Sequence, residues 1–318
     1  MRTVIARAPT RLDFGGGWTD VPPYTNREGG CVCNVAITRH ATAKVSRDER
    51  PDHSSTAPVD PLVRAALRRS PIRNVSVQIS SDYPVGAGLG GSSAAGVALG
   101  GALATLADER IDQKTLAASS RETEVDELGV PGGYQDHYAA ACGGALLLSF
   151  GEHVGVERIP LTSEFADALA KRIILVYTGE SRISGDTIVA VRDAYLAAEP
   201  VVVNALARMK ALAVMMAEAL RTEDLDALGA LVGEHWTHQR ALHRSITTPR
   251  IDAIADTARI AGALGIKALG ASGGGCVIAI AEEGRGSDLA KALEPFGERL
   301  SFGIDTEGFT IVSVSESP

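Results

Sequence analysis

The chain has 318 residues, of which 45% are hydrophobic and 22% charged, and its formal net charge at pH 7 is −8. That length and composition are typical of a globular protein with one large domain or two closely packed ones. The acidic balance argues against a general nucleic-acid binder, which would carry a basic surface. The first residues lack the apolar stretch of a signal peptide, and no unbroken apolar run is long enough to span a membrane. We therefore expect no membrane association and a cytoplasmic location, with four reduced, buried cysteines.

The first half of the chain is rich in predicted strands. Short runs of β-branched residues predict the strands 3–6, 31–37, 75–79 and 145–150. Ala- and Leu-rich periodicity predicts a helix from residue 92 to about 108 and a second over 112–128, with Asp112 as the N-cap of the second.

The second half is rich in predicted helices. After a strand at 173–177, a long helical region is predicted over 186–243, with a break at Glu199-Pro200, and another helix over 250–264. The tail is predicted to hold a helix at 287–293 among the strands 275–281, 300–302 and 309–314. This order predicts an α+β protein with two lobes, residues 1–160 and 161–318, rather than a regular βαβ repeat.

The densest local signal is a glycine-rich loop that leads into the first predicted helix. It consists of Pro84, Val85, Gly86, Ala87, Gly88, Leu89, Gly90, Gly91, Ser92 and Ser93. Glycines let backbone amides approach a ligand closely, and a helix N-terminus offers unpaired N–H groups and a positive dipole end. The loop therefore predicts a phosphate site in which the two serine hydroxyls could reach a bound metal ion.

Other types of phosphate-binding loop fit this segment less well. Gly86, Gly88 and Gly91 formally match a dinucleotide fingerprint, but Asp108, the nearest acidic residue at the required spacing, ends a predicted helix instead of a strand. A P-loop requires a lysine that is absent after Gly91. A flexible turn without a ligand is the third alternative.

Two acidic residues follow the loop at positions suited to chemistry. Glu124 lies on the same predicted helix stripe as Leu116 and Ser120, where a carboxylate needs a partner such as Mg²⁺ or a salt bridge. Asp136 follows a Gly-Gly turn and could accept a proton from a substrate hydroxyl or cap the next helix. From spacing alone, a structural role for Glu124 is the stronger alternative.

Three motifs in this order resemble the GHMP kinase superfamily. They are residues 7–20, RAPTRLDFGGGWTD, the glycine loop, and residues 267–276, KALGASGGGC. The resemblance implies a two-lobed fold, with an N-terminal lobe like ribosomal protein S5 domain 2 and a ferredoxin-like C-terminal lobe. It also implies an ATP-dependent kinase that acts on a small-molecule hydroxyl.

The resemblance also implies roles for individual residues. The glycine loop would wrap the ATP phosphates, and Ser92 or Ser93 would hold Mg²⁺ together with Glu124. Asp136 would be the catalytic base, and Arg11 would lie near the transferred phosphoryl group. The residues expected to contact substrate are Asp20, Trp18, Gly17, Tyr177, Arg182, Gly273 and Gly274.

The first motif also bears on the substrate. Residues 16–24, GGWTDVPPY, resemble the D-glycero-D-manno-heptose 7-phosphate kinase and fucokinase branch, and they lack the Glu-His of galactokinases. That resemblance implies a sugar phosphorylated at its anomeric C1 hydroxyl, with Arg182 and Arg240 as candidates to bind a phosphate already on the sugar. The alternatives are a GHMP kinase for another small alcohol, mevalonate-like or galactose-like, and a non-catalytic sensor of this fold. The oligomeric state stays open, with a homodimer as one alternative.

Overall fold

The computed structural model describes residues 2–47, 60–180 and 185–316, and two antiparallel sheets organise them. The strands are β1 (Arg2–Gly15), β2 (Gly30–Arg47), β3 (Val75–Ser81), β4 (Ala145–Phe150), β5 (Val154–Ile159), β6 (Ile173–Tyr177), β7 (Ala263–Ala268), β8 (Cys276–Ala281), β9 (Glu298–Arg299) and β10 (Thr310–Glu316). The six-stranded sheet has the order β10-β1-β2-β4-β5, with β3 also paired to β2. The four-stranded sheet has the order β7-β8-β6-β9.

Helices pack against both sheets. They are α1 (Tyr24–Glu28), α2 (Pro61–Arg69), α3 (Gly91–Leu106), α4 (Gln113–Arg121), α5 (Gln135–Cys142), α6 (Ser163–Arg172), α7 (Gly185–Leu196), α8 (Pro200–Arg221), α9 (Leu225–Ala241), α10 (Pro249–Ile260) and α11 (Gly286–Leu293). A π-helix, Glu122–Glu127, continues α4, and a short 3₁₀ turn, Glu294–Phe296, follows α11. Together these elements confirm the predicted α+β class.

One hydrophobic core joins the two lobes. Leu12, Phe14 and Val35 from the first sheet pack in one cluster with Met216 from α8 and Ile278 from the second sheet. These side chains are fully buried, and burying each stabilises the fold by about 1.5–3 kcal/mol. Because the cluster crosses from one sheet to the other, the two sheets share a continuous core.

The last strand crosses back to the first lobe. β10 pairs antiparallel with β1, with Arg2 opposite Glu316 and Arg7 opposite Thr310. The predicted second lobe, 161–318, therefore also supplies the edge strand of the first sheet. A division of the remaining chain near residue 160 stays a prediction.

α8 is long and apolar enough to cross a membrane by length and composition. Its Leu212, Ala213, Met216 and Leu220 are fully buried in the protein, and the helix contacts β1, β2 and α9. These contacts are those of a core helix.

Most predicted elements are present, but several boundaries are wrong for identifiable reasons. The helix predicted over 112–128 begins after its Asp112 cap as expected, but it becomes a π-helix from Glu122. The region 186–243 is broken a second time at residues 222–224, where Asp224 caps α9. The helix predicted over 250–264 ends at Ile260 because Gly262 takes a φ of +89° and a strand follows. Residues 300–302 form no strand.

Candidate active site

The glycine-rich loop closes into a tight turn before α3. Gly86, Gly88 and Gly90 have φ values of +73°, +74° and +75°, a region that side chains with a Cβ rarely adopt. The Tyr83 hydroxyl donates to the Gly91 carbonyl at 2.7 Å and fastens the end of the loop. The loop backbone thus leads directly into the N-terminus of α3, as the sequence predicts.

The third motif supports the loop from the other lobe. The Cys276 amide donates to the Ala87 carbonyl at 2.8 Å. A Cβ on Gly88 would lie 2.8 Å from the Leu269 carbonyl oxygen, so only glycine allows the two segments to approach this closely. The two glycine segments thus pack backbone against backbone.

Two cavities meet at this point. The first, of about 520 Å³, follows the glycine loop and is lined by all of residues 84–93. The second is a cleft, also of about 520 Å³, that lies under Trp18 and Asp20 and reaches Gly270 and Ala271 of the third motif. Residues that line both cavities are Gly88, Gly90, Ser93, Glu124 and Asp136. Ligands in the two cavities would meet at these five residues.

Arg11 and Asp136 form an ion pair at that junction. Arg11 Nε and Nη2 lie 2.8 and 2.7 Å from Asp136 Oδ1, and Nη1 donates to the Gly88 carbonyl. The other carboxylate oxygen, Oδ2, lies beside Gly90, where an added Cβ would be 3.0 Å from it. Burial raises the pKa of Asp136 above its ordinary value, although Arg11 opposes the shift. Asp136 lies in the first turn of α5 without capping it, so the capping alternative is wrong.

Glu124 lies in the π-helix and points towards the start of α3. Its Oε2 accepts from Ser93 Oγ at 2.9 Å and lies 3.3 Å from His137 Nε2. Ser120 Oγ lies 3.1 Å from the other nitrogen, Nδ1. Burial raises the pKa of Glu124, while burial lowers the pKa of His137 to about 3, which leaves the imidazole neutral at pH 7. His137 is therefore an oriented structural partner of the acidic residue.

The oxygen atoms of Glu124 and of the neighbouring serine are suitable ligands for Mg²⁺. A carboxylate and a serine hydroxyl are hard oxygen ligands, and Mg²⁺ commonly takes only one or two from a protein when phosphates complete its shell. Within residues 2–47, 60–180 and 185–316, no three His, Cys, Asp or Glu side chains cluster as a self-sufficient metal site. A desolvated carboxylate such as Glu124 is a group that a bound cation would stabilise.

Asp20 and Trp18 form the far wall of the cleft. Asp20 Oδ2 accepts from the amides of Tyr134 and Gln135, at 2.8 and 3.0 Å. Burial raises the pKa of Asp20 to about 6, and the charge of Asp136 adds to the increase. Trp18 has a φ of +78°, which costs a residue with a Cβ about 1–3 kcal/mol and is typical of functional sites. Gly17 lines the same wall.

Other predicted substrate residues lie away from this wall. Tyr177 ends β6, packs against the core and does not line the cleft. Gly273 donates its amide to the Ile246 carbonyl, and a Cβ on Gly274 would lie 2.7 Å from the Glu180 carbonyl oxygen, so these two glycines serve loop packing. Arg182 falls outside the described residues. Arg240 pairs with Asp252 at 3.0 Å.

Sequence reasoning missed three residues that line or support the cleft. Asp13 lies within the first motif and Gln135 directly precedes Asp136, and both line the cleft. Lys267, the first residue of the third motif, is fully buried with its Nζ 3.0 Å from Asp13 Oδ2. A charged residue inside the otherwise apolar segment 263–268 is the signal that could have found Lys267, whereas Asp13 lies in a strand that also carries three arginines.

Comparison with known families supports the motif assignment. The GHMP kinases N terminal domain family matches residues 59–144, and the GHMP kinases C terminal family matches residues 216–298. A mevalonate kinase from Pyrococcus abyssi is 31% identical over 99% of this chain and 99% of its own. The chain belongs to the GHMP kinases. It is thus a small-molecule kinase by family, and the predicted fold is confirmed.

Further GHMP kinases agree with the branch suggested by the first motif. D-glycero-alpha-D-manno-heptose 7-phosphate kinase from Campylobacter jejuni is 27% identical over 92% of this chain and 94% of its own. The crystal structure of a D-glycero-D-manno-heptose 1-phosphate kinase from Bacteroides thetaiotaomicron superposes with a TM-score of 0.78 at 22% identity, covering 98% of this chain and all of that one. The second likeness shows the shared GHMP kinase fold.

Proposed function

We propose that this GHMP kinase transfers the γ-phosphoryl group of Mg-ATP to the anomeric C1 hydroxyl of a sugar, either a heptose 7-phosphate or a fucose-like sugar. The observation that carries the proposal is the junction of the two cavities. A nucleotide along the glycine loop and an alcohol in the cleft would meet between Arg11, Glu124 and Asp136. Phosphoryl transfer requires mainly such positioning and charge stabilisation.

Each residue at the junction has a distinct role. Asp136 accepts the proton of the attacking hydroxyl, and its raised pKa makes it a stronger acceptor than an ordinary exposed carboxylate. Arg11 fixes the orientation of Asp136 and places positive charge beside the phosphates. Glu124 and Ser92 or Ser93 would hold Mg²⁺, which would neutralise phosphate charge. His137 keeps Glu124 in place through its own contact with Ser120.

The relatives and the chemistry of the cleft favour a sugar. A heptose 7-phosphate kinase is among the relatives, and the first motif carries the GGWTD sequence of that branch. The lining of the cleft holds Asp13, Asp20, Glu124 and Asp136, but Arg11 is the single cation among the described lining residues. Such a wall suits the hydroxyl groups of a sugar, and a phosphate already on that sugar would have to lie outside it.

A second candidate is a mevalonate-like alcohol, favoured by the 31% identity to the Pyrococcus abyssi mevalonate kinase. That substrate carries a carboxylate, which the acidic cleft would repel.

If the sugar substrate is already phosphorylated, Arg182 is the candidate to bind that phosphate. A cytoplasmic location, and a homodimer as one alternative for the assembly, stay predictions.

The test is ATP turnover against L-fucose, D-mannose, D-galactose, D-glycero-D-manno-heptose 7-phosphate and mevalonate, with the phosphorylated position read by phosphorus NMR. We expect ADP only with a sugar and a product phosphorylated at C1. Asp136→Asn should reduce kcat about 10²–10⁴-fold while ATP still binds. The control is Asp305→Asn, which removes a buried carboxylate that pairs with His40 and lines neither cavity. The absence of turnover with every sugar would refute the proposal.

A further inference from the structure

Three residues on the wall of the cleft carry buried polar atoms without a hydrogen-bond partner. Within the described part of the chain, these are Asp13 Oδ1, Trp18 Nε1 and Gln135 Oε1. A buried polar group left unsatisfied is destabilising, and native proteins retain few of them. All three residues line this one cavity, where a bound ligand would complete their hydrogen bonds.

Asp13 is held in place by a lysine from the other lobe. Lys267 Nζ lies 3.0 Å from Asp13 Oδ2 and 3.4 Å from the Phe14 carbonyl. Lys267 is fully buried on β7, whereas Asp13 lies on β1. The lysine therefore neutralises one oxygen of Asp13, and the other oxygen remains without a protein partner.

Gly17 lies directly against this carboxylate, where a side chain would not fit. A Cβ at position 17 would contact Asp13 Oδ2 and would lie 3.0 Å from Gln135 Nε2. Asp13 and the side chain of Gln135 thus both border the same glycine. The backbone N–H of Gln135 donates to Asp20, and this contact fixes the start of α5 beside Asp13 and Gly17.

The charges around the cleft select the type of group that can bind there. Burial is the main cause that raises the pKa of Asp20 and of Asp136, and the negative charge of Asp13 adds to both shifts, so the three carboxylates lie within electrostatic reach of one another. The buried cations beside them are Arg11, which is occupied by Asp136, and Lys267, which is occupied by Asp13. A carboxylate or phosphate on the ligand would meet repulsion here, whereas hydroxyls can donate to an acidic oxygen and accept from an indole N–H.

We propose that Asp13 is a specificity-determining substrate residue, oriented by Lys267, which accepts hydrogen bonds from hydroxyls on an uncharged polyol portion of the substrate. Trp18 donates its indole N–H to the same portion, and Gln135 supplies a further polar contact. The inference deepens the proposed sugar kinase activity and rests on it. Any phosphate already on the sugar must then lie at the opposite end, away from Asp13.

The test compares KM values for the accepted sugar and for ATP in Asp13→Asn and in the double variant Asp13→Asn/Lys267→Met. A hydrogen bond to a charged group contributes about 1.5–3 kcal/mol, so we expect the sugar KM to rise about 10–100-fold. The ATP KM should change less than about twofold, since Asp13 does not line the loop cavity. The double variant leaves no unpaired buried ammonium, so it separates substrate binding from folding. Asp305→Asn is again the matched control, with the sugar KM unchanged.

Monodeoxy derivatives of the accepted sugar provide a readout that a purely structural role would not move. The wild-type enzyme should discriminate most strongly against one or two of them, and Asp13→Asn should lose that discrimination. An unchanged sugar KM in the folded double variant, or equal discrimination in wild type and variant, would overturn the inference while leaving the kinase assignment intact. Turnover of mevalonate in place of sugars would overturn both.

Discussion

We predict that the charge of Asp20 lowers the stability of the folded protein while it contributes to sugar binding. The side chain is 2% exposed, and burial raises its pKa from 3.8 to about 6. At neutral pH Asp20 is ionised in both the folded and the unfolded protein, but its charge is less stable in the folded one, even though two backbone amides donate to it. Asp20→Asn keeps the shape and an acceptor oxygen but removes the charge, so it should stabilise the protein at pH 8 and weaken sugar binding.

The magnitude follows from the shift. About two pKa units at 1.36 kcal/mol each give about 3 kcal/mol in favour of the variant at pH 8. At about 2.1 cal/mol/K of unfolding entropy per residue, the same difference raises Tm by about 4–5 °C for a chain of this length. Because the folded pKa is the higher one, wild-type Asp20 takes up its proton on folding as the pH falls from about 6 to 3.8. The advantage of the variant should therefore shrink through that window and vanish below it.

Urea denaturation of both proteins at pH 8, 7, 6 and 5 measures this difference directly. Asp167→Asn makes the same chemical change at an exposed position of α6 and should leave the free energy of unfolding nearly unchanged at every pH. The reasoning fails if Asp20→Asn is no more stable than wild type at pH 8, or if its advantage does not depend on pH.

Three further predictions concern the junction and its support. Glu124→Gln should raise the Mg²⁺ concentration needed for half-maximal activity about tenfold or more, and an unshifted Mg²⁺ titration would contradict a ligand role. Gly90→Ala forces a Cβ to within 2.9 Å of Asp136 Cγ, so kcat should fall about tenfold or more. The control is Gly284→Ala, because Gly284 has a φ of +76°, close to the +75° of Gly90, but has open space around it. This control variant should retain kcat. Gln239→Leu removes the hydrogen bonds from Nε2 to Ser272 Oγ and to two backbone carbonyls of the third motif. We therefore expect KM to rise and kcat to fall together in steady-state assays. Normal kinetics would show that the third-motif loop keeps its position without Gln239.

Sequence reasoning located the parts of the site that are local in the chain. The glycine loop, its helix and the Asp112 cap each depend on residues within a few positions of one another, and the structure contains all three. Glu124 was harder to place, because regular α-helical spacing does not anticipate the π-helix that carries it. Its proximity to Ser93 became visible only with the fold.

The long-range polar contacts could not be predicted in the same way. Asp13 and Lys267 are 254 positions apart, and nothing in their local sequences encodes the pairing. The predicted C-terminal end of the helix at 250–264 was wrong for a related reason, because the last predicted residues instead belong to β7, which pairs with β8. Tertiary hydrogen bonds overrode local propensity at both places.

The pairing of β10 with β1 has a consequence for how this molecule is made. β1 leaves the ribosome well before β10, so the edge of β1 that pairs with β10 has no neighbour until residues 310–316 have emerged. The six-stranded sheet therefore cannot be completed before residues 310–316 have been synthesised. Shortening the polypeptide before residue 310 would leave an open strand that invites association between copies.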